Sequence, residues 1–204
     1  MVKKKELGKP HVVIFVEGDT DDAFFHVLLE YYRKTSTSQL NTCEIVNMKG
    51  VSKYNAKFAS KLKNDIMPKA ADKGRYIKTV CCSYDTDVFE YAEHPVVDWN
   101  KIRKTILKFG ISDFIEIKVE HAIEDWLLDD VEGICKYLGI KEIQTSLPGA
   151  NGAEKLNRLF RKKNLVYAKG YDVKNLLSYL DFGRIRGKHQ RTLESLENSL
   201  EFKE

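Results

Sequence analysis

Two periodicities alternate along the chain. His11 to Val16 is an unbroken apolar, largely β-branched run, the pattern of a strand buried on both faces. Asp19 and Thr20 then open a segment from Ala23 to Tyr32 whose apolar positions recur at helical spacing, with acids crowding its first turn. The same alternation continues. Cys43 to Met48 predicts a second strand, and Lys53 to Met67 an amphipathic helix stopped by Pro68. Tyr76 to Tyr84 predicts a third and deeply buried strand, Asp98 to Phe109 a helix ended by Gly110, and Asp113 to Val119 a fourth strand. Strands separated by helices of this length imply parallel pairing, hence an α/β fold with a doubly wound, mostly parallel sheet and helices on both faces. Beyond about residue 121 the strand pattern gives way to helical stretches at 123–138, 153–162, 173–180 and 191–200, divided by a loop from Leu147 to Gly152. One domain over 1–204 is expected, with a core at about 10–120 and a helical layer at about 121–204 closing one side of the sheet.

Composition narrows this little. The 204 residues are 43% hydrophobic and 31% charged, which excludes a disordered chain, a collagen-like repeat and a disulfide scaffold. A chain of this length buries roughly two-thirds of its unfolded surface without a metal or disulfide staple. The net charge of +4, from 34 Lys and Arg against 30 Asp and Glu, permits nucleic-acid binding without demanding it. Cys43, Cys81, Cys82 and Cys135 show no Cys-x-x-Cys spacing, so a zinc site is not expected; adjacent Cys81 and Cys82 in an apolar run read as buried reduced thiols of a cytoplasmic protein. The basic start is followed by an apolar run too short for a signal peptide or a membrane span.

The chemistry is concentrated where strands end. In an open α/β sheet, ligands bind outside the carboxyl ends of the strands. The first strand runs into Glu17-Gly18-Asp19-Thr20-Asp21-Asp22 and the third into Asp85-Thr86-Asp87. In extended backbone Asp85 and Asp87 point the same way, and Glu17 can stand beside them. Three converging carboxylates repel one another unless a cation neutralises them, and an all-oxygen set suits Mg²⁺ or Mn²⁺. The competing reading is that these acids cap helices and solvate loops. Ser83 and Thr86 flank Asp85 without the partners of a serine-type triad. His94 and His121 stand at loop and strand-end positions, where a lone histidine is commonly structural or exposed.

Ile14-Phe15-Val16-Glu17-Gly18 followed by Ser83-Tyr84-Asp85-Thr86-Asp87 resembles the Toprim domain, which pairs a glutamate after its first strand with an Asp-x-Asp after its third. Topoisomerases, bacterial primases, recombination proteins and OLD-type nucleases share that domain. The acid four residues after Glu17 is more similar to the OLD-type and RloB-like branch, with Asp21 where Glu is also common. Ile123-Glu124-Asp125-Trp126-Leu127-Leu128 resembles that branch's Phe-Glu-x-Trp-Leu-Leu segment, and Tyr167-Ala168-Lys169 its Tyr-x-Lys. The resemblance implies that Glu17, Asp85 and Asp87 hold the metal, that Asp21 and Glu124 complete a second metal position, and that Lys169 stabilises charge on the scissile phosphate. It thus implies a Mg²⁺- or Mn²⁺-dependent nuclease, in a branch tied to phage defence or mobile elements and acting beside a separate ATPase subunit. The chain carries no P-loop of its own, since Gly149 to Lys155 is only a glycine-containing turn. It also has no zinc module of a primase and no evident strand-passing tyrosine. Plainer readings remain beside these: Trp126 as a core anchor, Glu124 as an ordinary first-turn acid, Lys169 as part of a solvated basic face.

Basic residues gather in the last third. Arg158, Arg161 and Lys162 form one group; Arg184, Arg186 and Lys188, flanked by Gly183 and Gly187, form another, expected to offer guanidiniums and backbone N–H groups to phosphates. A carboxylate site beside such a wall suits a nucleic-acid substrate. The alternative function is a non-catalytic nucleic-acid-binding or effector subunit on the same fold. A phospho-acceptor receiver domain also gathers acids at strand ends, but the Glu-Gly turn and Asp-x-Asp fit it poorly. A homo-oligomer is left open.

Overall fold

The computed structural model describes residues 8–90, 96–143, 146–171 and 173–204, with the backbone alone at Glu90. His94 and the basic first residues therefore lie outside the described residues. The strands are β1 (Lys9–Val16), β2 (Thr42–Asn47), β3 (Arg75–Asp85) and β4 (Asp113–Val119). They form one sheet in the order β2-β1-β3-β4, every pair parallel. The chain thus steps from β1 outward to β2, then returns to the other side of β1 to lay down β3. That reversal opens a crevice between the carboxyl ends of β1 and β3.

The unbroken apolar run of β1 is explained by two cores. Val12, Ile14 and Val16 face one of them, Val13 and Phe15 the other, and all five are fully buried. On the first face lie α1 (Asp19–Thr35), α6 (Ile123–Leu127), α7 (Val131–Leu138), α8 (Gly152–Arg161), α9 (Val173–Leu177), α10 (Phe182–Lys188) and α11 (Gln190–Leu200). The second is covered by α2 (Lys53–Lys61), α3 (Met67–Asp72) and α5 (Trp99–Lys108), with Tyr54, Phe58, Ile102 and Ile106 buried there. A four-residue helix, α4 (Asp87–Glu90), follows β3 directly. Residues beyond 121 do form the helical layer expected, and Trp126 is a core anchor, edge-on to Phe24 and stacked on His189. The four cysteines are free, and Cys81, Cys82 and Cys135 are buried. Among the described residues, no helix is long and apolar enough to cross a membrane.

Two expectations need correction. Pro68 does not stop the second helix. A π-helical turn at Leu62–Ile66 lets the Met67 N–H bond to the Leu62 carbonyl, and helix resumes with Pro68 in the first turn of α3, where an N–H is not required. The Gly-flanked segment around Arg184, left outside the expected helical stretches, forms α10, capped by the Asp181 side chain accepting the Arg184 N–H at 3.0 Å.

Candidate active site at the strand carboxyl ends

Alternation along β3 sends Asp85 to the same face as Cys81, toward α1 and α6. There it meets acids from three other elements. Glu17 follows β1, Asp21 sits in the first turn of α1, and Glu124 in the first turn of α6. With Lys49 and Lys169 these side chains line one pocket of about 330 Å³. The contacts between the β1 and β3 ends are direct: the Asp85 backbone N–H points at Glu17 Oε2, 3.4 Å away, and Asp85 Oδ1 accepts the Ile123 N–H at 3.0 Å. A larger groove, about 610 Å³ between α1 and the α9–α10 turn, is lined by Val27, Tyr31, Leu177 and Phe182 among others. It gathers no buried carboxylate, so it has no comparable chemistry.

The pocket is acidic beyond its means. Burial, and then the neighbouring Asp21, Glu17 and Glu124 charges, push the Asp85 carboxyl up to about 9. Burial and Glu17 push Asp21 up to about 7, and burial raises Glu17. Asp21 Oδ1 is buried with no hydrogen-bond partner. Such an atom loses its hydration without compensation, a cost tolerated where a ligand is expected.

One cation answers these acids from inside the pocket. Lys169 Nζ lies 3.1 Å from Glu124 Oε2, while Tyr167 donates its hydroxyl to Glu124 Oε1 at 3.0 Å. Glu124 is fully buried beneath them, whereas the Lys169 side chain remains 59% exposed. Although desolvation opposes it, the Glu124 charge raises the Lys169 ammonium above its ordinary value, so it stays protonated. The strap carrying Tyr167 and Lys169 is tied to α1 by the Gly170 N–H, which donates to Thr20 Oγ1 at 3.0 Å. Gly170 has φ +74°, and a Cβ there would stand 2.7 Å from Asp19 Cβ, so no other residue fits without displacing the strap. At the pocket's rim Asp19 accepts from Asn47 Nδ2 at 2.9 Å and pairs with Lys49.

The structure therefore brings Glu17, Asp21, Asp85, Glu124 and Lys169 together. Asp87 is the exception. β3 ends at Asp85, Thr86 makes a bend, and Asp87 begins α4 with its N–H on the His121 carbonyl at 3.1 Å. It does not line the pocket as an extended Asp-x-Asp would, although its charge is still felt at Glu17. His121 is exposed at the end of β4 and is not among the lining residues. Residues that sequence reasoning left without a role are Thr20, Lys49, Tyr167 and Gly170. Only Tyr167, through its Tyr-x-Lys spacing, carried a signal.

Whether the acids suit a divalent cation is a question of donor type and of geometry. The donors fit: all are carboxylate oxygens, Asp21 Oδ1 is unpartnered, and burial and then mutual repulsion push Asp21 up to about 7 and Asp85 up to about 9. The geometry is not preassembled, since among the described residues no three His, Cys, Asp or Glu side chains stand ready to ligate one ion.

The basic groups divide. Arg158, Arg161 and Lys162 are exposed at the end of α8, and Arg158 and Arg161 border a surface hollow with Glu154 and Asn157. Arg184, Arg186 and Lys188, expected to face phosphates, each stand in ion pairs with acids of the helical layer. Arg186, only 12% exposed, is forked onto Glu197 at 2.7 and 3.0 Å and reaches Glu204 at 2.6 Å. Arg184 pairs with Asp130 at 2.9 Å and Lys188 with Asp129 at 2.8 Å. These cations clamp the helical layer.

No family model matches this chain, and neither curated proteins nor solved structures include a significant relative. The α/β architecture with a four-stranded parallel sheet rests on the structure itself.

Proposed function

We propose that the chain is a divalent-cation-dependent phosphodiesterase acting on nucleic acid, of the Toprim-like kind its motifs resemble. The observation that carries this reading is the convergence of Glu17, Asp21, Asp85 and Glu124, from four elements, on one pocket where Lys169 pairs with Glu124 and Lys49, at the rim, pairs with Asp19. Structural acids are paired or exposed; here Asp21, Asp85 and Glu124 are buried beside a half-buried Glu17, and their charges crowd one another. Glu17 and Asp85, and across the pocket Asp21 and Glu124, would hold Mg²⁺ or Mn²⁺. A cation bound there supplies an activated water and charge stabilisation on the phosphate oxygens.

The chain's own residues supply the rest. Tyr167 fixes the orientation of Glu124 by its hydroxyl hydrogen bond. Lys169 keeps its proton and, on an exposed stem, swings from Glu124 to a phosphate oxygen, where a pre-organised positive charge favours the transition state. The Ile123 N–H fixes Asp85 at the pocket wall through Oδ1. The crevice between β1 and β3 gives a phosphate access from the strand ends.

One observation favours the non-catalytic alternative: the acids do not stand in a ready ligating arrangement. The two readings part in a single assay. Purified chain is incubated with labelled single- and double-stranded DNA and RNA in Mn²⁺, Mg²⁺ or EDTA. Cleavage that needs the cation and is lost in Asp85→Asn supports the enzyme; retained binding with no cleavage under any condition supports the binding subunit.

A further inference from the structure

Between Glu154 and Asp172 the chain carries Lys155, Arg158, Arg161, Lys162, Lys163 and Lys169 and no acid at all. The same stretch holds three of the large apolar side chains most exposed among the described residues: Leu165 at 49%, Val166 at 70% and Tyr171 at 80%. They bracket the strap that enters the pocket, Leu165 and Val166 directly before Tyr167 and Tyr171 directly after Gly170. The strap is not a loose loop. The Leu165 N–H bonds to the Phe160 carbonyl at 3.1 Å, the Tyr167 N–H faces Asn157 Oδ1 at 3.4 Å, and the Tyr171 N–H bonds to the Ala168 carbonyl at 3.0 Å. Asn157 also borders the hollow framed by Arg158 and Arg161, so the cationic end of α8 and the apolar strap form one continuous surface.

We propose that this surface, residues 155–171, is a docking track for single-stranded nucleic acid that feeds the carboxylate pocket. This deepens the functional reading above and rests on it. Arg158, Arg161, Lys162 and Lys163, exposed with Glu154 as the acid bordering their hollow, call for a polyanion rather than an apolar protein partner. An exposed ring and two exposed aliphatic side chains gain nothing from a duplex, whose base faces are hidden in the stack. They gain from unstacked bases, each of which offers a π-face. The phosphates would follow Arg158, Arg161 and Lys162 while bases rest on Tyr171, Leu165 and Val166, bringing the backbone to Lys169.

Fluorescence anisotropy in EDTA, where nothing is cut, tests this with a labelled mixed-sequence 20-mer as single strand and as duplex, in DNA and RNA forms. Wild type should prefer the single strand. Tyr171→Ala should weaken single-strand binding roughly 5- to 100-fold, the range for losing one stacking platform, with Tyr171→Phe restoring it and duplex binding unchanged. Arg158→Ala with Arg161→Ala should weaken both and flatten the salt dependence. Circular dichroism confirms that each variant is folded, and Val166→Ser gives a second, independent removal of apolar surface. Duplex binding equal to or tighter than single-strand binding, or no effect of Tyr171→Ala and Val166→Ser, overturns the track but leaves the nuclease reading intact. No binding of either form by wild type also overturns the track, while the nuclease reading falls only if the cleavage assay in Mn²⁺ shows no cutting.

Discussion

Two charge clusters in this protein look alike in the sequence and differ in the fold. Around α10 and α11, Arg184, Arg186 and Lys188 meet Asp130, Glu197 and Asp129, cation against anion. Even the buried Tyr32 hydroxyl contributes, donating to Glu197 Oε1 at 2.8 Å. At the ends of β1 and β3, five acids face two lysines, Lys49 and Lys169, and Asp21 Oδ1 is buried without a hydrogen-bond partner. Both clusters are partly dry. The first is balanced and holds helices together; the second is unbalanced, and its acids raise one another's proton affinity. Charge balance after folding, not the density of charged residues, separates scaffold from site.

Breaking the balanced cluster should give the largest stability effect. Arg186→Ala leaves Glu197 buried and unpaired, which costs about 3–5 kcal/mol, read from denaturant unfolding with Glu197→Gln as the complementary variant. Equal stability would mean that the fork is ornamental and that the two clusters do not differ as described. In the unbalanced cluster, Lys169→Ala should cut turnover by ~100-fold. It should also tighten Mn²⁺ binding, because the ammonium occupies Glu124 in the ion-free protein. Looser binding in that variant would show that Lys169 does not compete with the cation.

Asp85→Asn should do the opposite of Arg186→Ala and stabilise the ion-free protein, by about 1 kcal/mol or more at neutral pH. The sign follows from the raised carboxyl. Folded Asp85 keeps its proton up to about 9, whereas the unfolded chain releases it at the ordinary carboxylate value. The folded state therefore binds more protons across that interval, so stability falls as pH rises through it. The asparagine variant should flatten that slope. A steeper slope, or a loss of apo stability, would give Asp85 a structural partner instead.

The parts of this picture that were legible in the sequence are those decided by local pattern. β1 and β3 read as buried strands because both their faces meet apolar layers, and Glu17 and Asp85 follow from where such strands end. Pro68 misled because the compensating π turn leaves no mark in the residue pattern. α10 was hidden by its two glycines, although Asp181 three residues before Arg184 is a capping signal that could have revealed it. The arginines there read as a phosphate wall because their acidic partners lie up to 54 residues away in sequence, at Asp130. Asp87 was placed by strand periodicity that ends two residues earlier. Tertiary pairing decides whether a charge is spent or available, and no local pattern reports it.

The central claim is that the carboxylate pocket is built for a divalent cation. Calorimetric titration of the ion-free chain with Mn²⁺, repeated at pH 7.5 in buffers of different ionisation enthalpy, tests it most directly. Saturable binding accompanied by proton release is expected, since Asp85, pushed up to about 9, must give up its proton to become a ligand. Asp85→Asn should lose most of the affinity together with that proton. Absence of Mn²⁺ binding, or binding of equal strength and no proton release in both proteins, would contradict it.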